Sequence, residues 1–339
     1  GSMTFLTRTL STLLIVVSAQ VFAQTNLVTN LPKTEYGYPD FQGYWENLHQ
    51  TPLQRPEELG DRQAYSEEEA FALIEQASAS LRKRSLPVDP DREPPQEGRV
   101  TNQADDDFDD FPIDIAMING EYRTSLIIDP PNGRIPHDIV NRAQTNEFYF
   151  YLEDNNLRFD GPEAAYGGER CLFPGPQLSM MYQRGLSPYT QIVQTKDYLM
   201  ILGEYPYHAR IIRIESDHPA IGFAKWMGDS VGHWENQTLV IHTEKIRREQ
   251  SFPPIFSTDH TQITERLSLG ENGNIVYEYT VTDPELYLQS FTAQIPFTRM
   301  QNGQVIYEYA CHEGNYSFVG SLAAARWEDA QSEIDSDAN

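Results

Sequence analysis

The feature that most constrains this chain is a succession of short segments in which apolar residues recur every second position, between residues 123 and 311. They are RTSLIID (123–129), TQIVQT (190–195), YLMILGE (198–204), ARIIRIE (209–215), QTLVIHT (237–243), TQITERLSL (261–269), NIVYEYTVTD (274–283), FTAQIPFTRM (291–300) and QVIYEYAC (304–311). Successive side chains of a strand point to opposite faces, so period two marks a strand with one buried face. Turn signals separate several of these segments: PPNG at 130–133, ENQ at 235–237, GENGN at 270–274 and QNG at 301–303. Closely spaced strands joined by tight turns predict an antiparallel meander rather than βαβ units. In IVYEYTV the reading sets Val276, Tyr279 and Val281 opposite Tyr277 and Thr280, so that one face of each strand lines a closed interior. The expectation is a mainly β chain, an antiparallel barrel or strongly curved sheet over residues 121–326.

A long N-terminal extension precedes it. Residues 1–23 read as a tag scar (Gly1, Ser2) and a secretory leader, with Arg8, an apolar stretch from Leu13 to Val17 and small residues at Val21 and Ala23. Residues 24–64, rich in Pro, Gly and aromatics, read as an arm laid over the core and anchored by Phe41, Tyr44 and Trp45. Ser66 and Glu69 form a capping box, and Phe71, Ile74, Ala77 and Leu81 follow at helical spacing. Arg82, Lys83 and Arg84 suit the negative end of the dipole, so residues 66–84 are the clearest helix of the 24–120 extension. Residues 85–112 read as irregular and acidic, and 327–339 as a mobile acidic tail.

The 50 acidic and 25 basic side chains give a formal charge of −25, which repels phosphate backbones and anionic membrane surfaces. Beyond the leader no apolar run approaches the ~18 residues of a membrane span, so the mature protein is expected to be soluble and periplasmic or secreted. The two cysteines, Cys171 and Cys311, are expected to form a disulfide, with a nucleophilic thiolate as the alternative.

The stretches PDFQGYWENLHQTPLQRPEEL, RTSLIIDPPNGRIP, ERCLFPGP, TQIVQTKDYLMILGE, WMGDSVGHWENQTLVIHT and VIYEYACHEGNY resemble a widespread family of secreted bacterial proteins, usually described only as hypothetical. The resemblance covers about residues 38–326. The GHWENQTLVIHT strand and its successors also resemble calycin and lipocalin-like barrels, which implies a lipocalin-like barrel whose interior holds a small, often apolar molecule.

Two clusters carry candidate chemistry. GDSVGHWE places Asp229, His233 and Glu235 within seven residues and reads as a loop at a barrel mouth, where an imidazole would move a proton and a carboxylate would orient it. In the structural alternative Asp229 and Ser230 bond nearby backbone amides and Trp234 plugs the barrel end. EYACHEGNY supplies Tyr309, His312, Glu313 and Tyr316 beside Cys311. His312 and Glu313 would point to opposite faces of a strand unless a break at Gly314 intervenes, and pairing of Cys171 with Cys311 would add Glu169 and Arg170. That group reads either as structural ion pairs or as a site for a carboxylate or a polarised carbonyl. His137, Asp138 and Arg142 read as the start of a short helix with an i, i+4 pair.

The run Asp105–Asp110 satisfies the DDxxD and DxDD patterns of terpene cyclases, with Asp106, Asp107 and Asp110 as metal-ligating candidates, and reads equally as a solvated acidic loop. HExxH, CxxC, Walker, GxGxxG and GxSxG motifs are missing, so no metal, ATP, NAD or flavin cofactor is expected. The leading expectation is a cofactor-independent isomerase, cyclase or lyase acting by proton transfer on a small apolar or aromatic molecule. His233 or His312 would move the proton, Asp229, Glu235 or Glu313 would orient it, and Arg170 with Tyr309 would stabilise negative charge. The rivals are a non-catalytic carrier of a hydrophobic ligand and a Cys- or metal-dependent hydrolase.

Overall fold

The computed structural model describes residues 31–84, 114–138, 159–165, 169–172, 178, 180–181, 189–204, 208–220, 222–247, 254–301 and 303–337. Residues 1–23, read above as a tag scar and leader, the Asp105–Asp110 run with Asp106, Asp107 and Asp110, and Arg142 lie outside these residues.

The strands in chain order are β1 (Gly43–Glu46), β2 (Ala64–Tyr65), β3 (Met117–Ile118), β4 (Glu121–Arg123), β5 (Ile127–Asp129), β6 (Tyr189–Gln194), β7 (Tyr198–Gly203), β8 (His208–Ile214), β9 (Asp229–Glu235), β10 (Thr238–Glu244), β11 (Gln262–Leu269), β12 (Ile275–Thr282) and β13 (Phe291–Arg299). Strands β6 to β13 pair in sequence order, and β1 pairs with both β6 and β13. These nine strands close a barrel, the lipocalin-like fold class expected. Strand β5 extends the sheet along the start of β13, leaving the end of β13 to β1 through Trp45 opposite Arg299. Strands β2, β3 and β4 form a separate small sheet.

The odd-numbered residues of β10 to β13 face inward, among them Leu239, Ile241, Ile263, Leu267, Tyr277, Tyr279, Val281, Phe291, Ile295 and Phe297, all buried. Tyr277 therefore shares the inner face with Tyr279 and Val281, and Val276 is turned outward, because period two keeps residues of one parity together. At about 25 cal/mol per Å² of apolar surface, this inner face dominates the stability of the barrel.

The meander has one exception. Strands β8 and β9 run parallel, Arg213 opposite Val231, because residues 215–228 form a crossover long enough to return the chain to the same end. RTSLIID divides between β4 and β5. QVIYEYAC is not a strand: residues 304–310 are irregular and Cys311–Gly314 form one helical turn. Strand β5 at the start of β13 and β1 at its end already occupy the partners of β13, so the following segment does not pair back on that strand, and its side chains stay largely exposed. His312 and Glu313 accordingly sit on a helical turn and not on opposite faces of a strand.

The extension holds its expected helix, α1 (Glu67–Arg84). The capping box forms in both directions, with Glu69 N–H donating to Ser66 Oγ at 3.3 Å and Ser66 N–H to Glu69 Oε2 at 2.8 Å. Phe71, on the expected apolar face, is more than half exposed and meets the Tyr122 ring edge-on. The arm anchors through Phe41 and Trp45, both fully buried, and Phe41 N–H donates to Gln194 Oε1 at 2.8 Å. Tyr44 stays half-buried, its hydroxyl accepting from Gln191. The acidic terminus is helical, in α2 (Tyr316–Asp337). The expected disulfide joins Cys171 to Cys311. His137 makes an isolated bridge to Tyr287, and Asp138 N–H donates to Leu286 O at 2.9 Å, while the rest of the short helix expected from there lies outside the described residues.

Candidate functional site

GDSVGHWE is strand β9 rather than a loop, and this decides what its polar residues can do. Gly228, at φ +71°, turns the chain into the strand where a side chain would strike Glu244 O and Ile246. Gly232 lies against Ile212 and Leu239, where a Cβ would come within 3.2 and 3.3 Å. A two-residue turn at Asn236 and Gln237 leads into β10, with Asn236 at φ +57°. Alternation then sends Ser230, Gly232 and Trp234 inward, and Asp229, Val231, His233 and Glu235 to the outer face. Pairing of Val231 with His242 and of His242 with Thr264 adds both to that outer face, and pairing of Val240 with Arg266 adds Arg266.

Asp229 is buried and held by three cationic or imidazole groups: Arg213 Nη2 at 2.7 Å, Lys225 Nζ at 2.5 Å and His218 Nδ1 at 2.9 Å. Burial opposes its ionisation, but the hydrogen bonds from Arg213, Lys225 and His218 outweigh it and hold the carboxyl well below the usual range. A carboxylate so engaged has no lone pair free for a substrate proton. Its effect is to fix the 215–228 crossover and to aim His218 outward.

His233 and Glu235 are half-exposed. His233 Nε2 lies 3.3 Å from Glu235 Oε1, and Arg266 Nη2 donates to Glu235 Oε2 at 2.7 Å. Arg266 and then His233 hold the Glu235 carboxyl low. The His233 and His242 rings stack with centroids 5.6 Å apart and planes at 15°. Thr264 Oγ1 lies 3.3 Å from His242 Nδ1. Partial burial, then the neighbouring His233 and His218, lowers the His242 pKa, which favours its neutral form.

These imidazoles border two adjoining clefts. The larger, about 450 Å³, is lined by Glu215, Ser216, Asp217, His218, Val231, Gly232, His233 and His242. The smaller, about 270 Å³, shares His218, Val231 and His242 and adds residues of β10 and β11, including Glu244 and Thr264. Sequence reasoning missed His218 and His242. The ENQ turn was the available signal for His242, since a two-residue hairpin there returns the second histidine diagonally beside the first.

The other cluster does not assemble in the same way. The disulfide brings residues 169–171 beside 311–315, and Asn315 Nδ2 donates to Glu169 O at 2.6 Å. Tyr309, His312, Glu313 and Tyr316 are exposed there, and Glu169 and Arg170 half-buried.

A second unforeseen group lies inside the barrel. Arg210 forms a bidentate pair with Glu265, Nη1 to Oε2 at 2.6 Å and Nη2 to Oε1 at 2.7 Å. Tyr277 Oη donates to Glu265 Oε1 at 2.8 Å, and Thr243 and Ser230 complete the network. Burial works against the guanidinium charge of Arg210, and the adjacent Glu265 outweighs it. Burial and then Glu265 push the Tyr277 phenol well above its ordinary value. Trp234, packed against the core, stacks with two rings of the arm, Tyr38 at 4.3 Å and Phe41 at 6.0 Å.

Fold and site together define a closed β-barrel protein with an imidazole-lined cleft on its outer wall. Neither a protein-family model nor a curated protein matches this chain. Among the described residues no group of His, Cys, Asp and Glu is arranged to hold a metal ion, and no helix is long and apolar enough to cross a membrane.

Proposed function

We propose that this chain is an acid/base enzyme, an isomerase, cyclase or lyase that moves protons with its own side chains in the outer cleft. The observation that carries the reading is the stacked pair His233 and His242, each with its own hydrogen-bond partner and both open to one cleft. His242, favoured in its neutral form, is the base. With its Nδ1–H given to Thr264 Oγ1, its Nε2 keeps a free lone pair for the substrate proton. His233, oriented by Glu235, returns a proton to a second atom of the same molecule. Asp229 acts at one remove, by setting the crossover that carries His218. The protein works outside the cytoplasm in this reading, which the leader-like start, the motifs shared with secreted bacterial proteins and the Cys171–Cys311 disulfide support.

The test is solvent deuterium incorporation into a panel of small molecules, followed by mass spectrometry. The expected result is incorporation that falls at least ~100-fold in His242→Ala and in His233→Ala, the scale of general acid–base catalysis. Full retention by both variants overturns the reading. The rate should be lost as pH falls through the His242 pKa, which lies below the ordinary 6.5, so the acid limb of the profile sits on the acid side of that value.

A further inference from the structure

The charges around the two clefts are unevenly placed. Glu215 and Asp217 line the larger and Glu244 the smaller, and among the described residues no lysine or arginine lines either cleft. The cations bordering them are already engaged. Arg213 and Lys225 are turned onto Asp229 at 2.7 and 2.5 Å, and Arg266 onto Glu235 at 2.7 Å. His242 favours its neutral form and so places little positive charge at the join between the clefts. An anion entering here meets three carboxylates, with no lysine or arginine among the described lining residues to receive it. A cation meets the same carboxylates, three imidazoles and a protein whose formal charge of −25 raises its local concentration.

From this distribution we infer that the cleft binds a small organic cation, an amine or guanidine. Its charged end lies at Glu215 and Asp217, and its body runs across Val231 towards His233 and His242. The inference rests on the reading of this cleft as the working site and names the substrate class for it. Glu215 is the better-fixed anchor, since its Oε1 also accepts the Trp234 N–H at 3.0 Å and is thereby tied to β9. Asp217 is exposed and supplies charge. The ammonium or guanidinium would be held by charge-assisted hydrogen bonds, and the atoms beyond it would fall beside the paired imidazoles.

The experiment titrates the full chain, with histidine rings labelled for NMR, using 2-phenylethylammonium and the matching anion 3-phenylpropanoate. The expected result is saturable binding of the cation that moves the His233 and His242 ring resonances and weakens as salt rises. Binding should fall about tenfold for each carboxylate lost in Glu215→Gln and Asp217→Asn, the usual worth of one charge-assisted hydrogen bond. Neither change should disturb the fold, because the glutamine amide of the first variant keeps an oxygen for the Trp234 N–H and residue 217 is exposed. Equal or tighter binding of 3-phenylpropanoate overturns the inference, as does cation binding that leaves both rings unmoved or is indifferent to the two substitutions. If the cation binds as expected but deuterium exchange survives the histidine substitutions, the inference stands and the acid/base reading falls. If exchange depends on the histidines but the cleft prefers the anion, the reverse holds.

Discussion

The barrel places two polar groups on opposite sides of one wall, and they are built in opposite ways. Inside, Arg210 and Glu265 are fully buried, paired through the two terminal guanidinium nitrogens, and closed off by Tyr277 and Thr243. Outside, His233 and His242 are open to solvent, each with a single long hydrogen bond at 3.3 Å. A buried charge without partners is costly, so the inner group is paired at every polar side-chain atom but Arg210 Nε, which has no partner among the described residues, and that leaves it little capacity for a ligand. Solvent covers the cost of the outer group's unmet capacity, and that capacity is what a substrate can use.

Four substitutions break or sharpen this contrast. Glu265→Ala strands Arg210 and should cost about 3–5 kcal/mol in urea unfolding, whereas the double change Arg210→Met with Glu265→Leu should recover most of the loss. An Ala variant as stable as the parent would mean that the Arg210 charge does not depend on Glu265. Second is His49, which is buried, finds no partner for either ring nitrogen among the described residues, and has its pKa lowered to about 4 by burial. In the unfolded chain it titrates near 6.5, so between these values the unfolded chain takes up a proton that the fold refuses. Its contribution is whole above pH 6.5 and is lost as pH falls towards 4, about 3 kcal/mol in all. His49→Phe should flatten that limb of the stability–pH curve, and an unchanged slope refutes the assignment.

Asp229→Asn comes third, at about 2 kcal/mol, less than Glu265→Ala because Arg213 and Lys225 are partly exposed and can rehydrate. With its folded pKa depressed, the Asp229 contribution is whole above about pH 4 and lost as pH falls further. The Asn variant should therefore lose sensitivity only in that acid range. Glu235→Gln is the smallest, with a thermal shift close to zero, since its pairs with His233 and Arg266 are half-exposed. A larger thermal shift there than for Asp229→Asn would erase the distinction between fixed and free groups.

The strands are legible in the sequence because period two is written locally, and so are the capping box and the two-residue turns. Even the inner acid leaves a trace. Glu265 has the parity of Ile263 and Leu267 in QITERLSL, and Arg210 that of Ile212 and Ile214, so each sits in phase with a buried face. Their pairing is not legible, because it spans 55 residues and depends on how the barrel curves. GDSVGHWE reads as a loop because glycines at 228 and 232 resemble turn signals, although one begins a strand and the other lets two strands pack closely. EYAC reads as a strand because its alternation is real, while the free positions along β13, the strand before it, are taken by β5 and β1.

That last point bears on how the molecule is made. The four residues of β1 are synthesised before any other wall of the barrel, yet their partners are at 189–192 and 298–299. Until residue 299 has emerged, β6 and β13 have no shared neighbour and the sheet keeps two raw edges. A nascent or truncated chain ending near residue 290 should therefore be an adhesive, open sheet, and the amino-terminal arm, free to pair with β6 earlier, closes the wall only when β13 has been made.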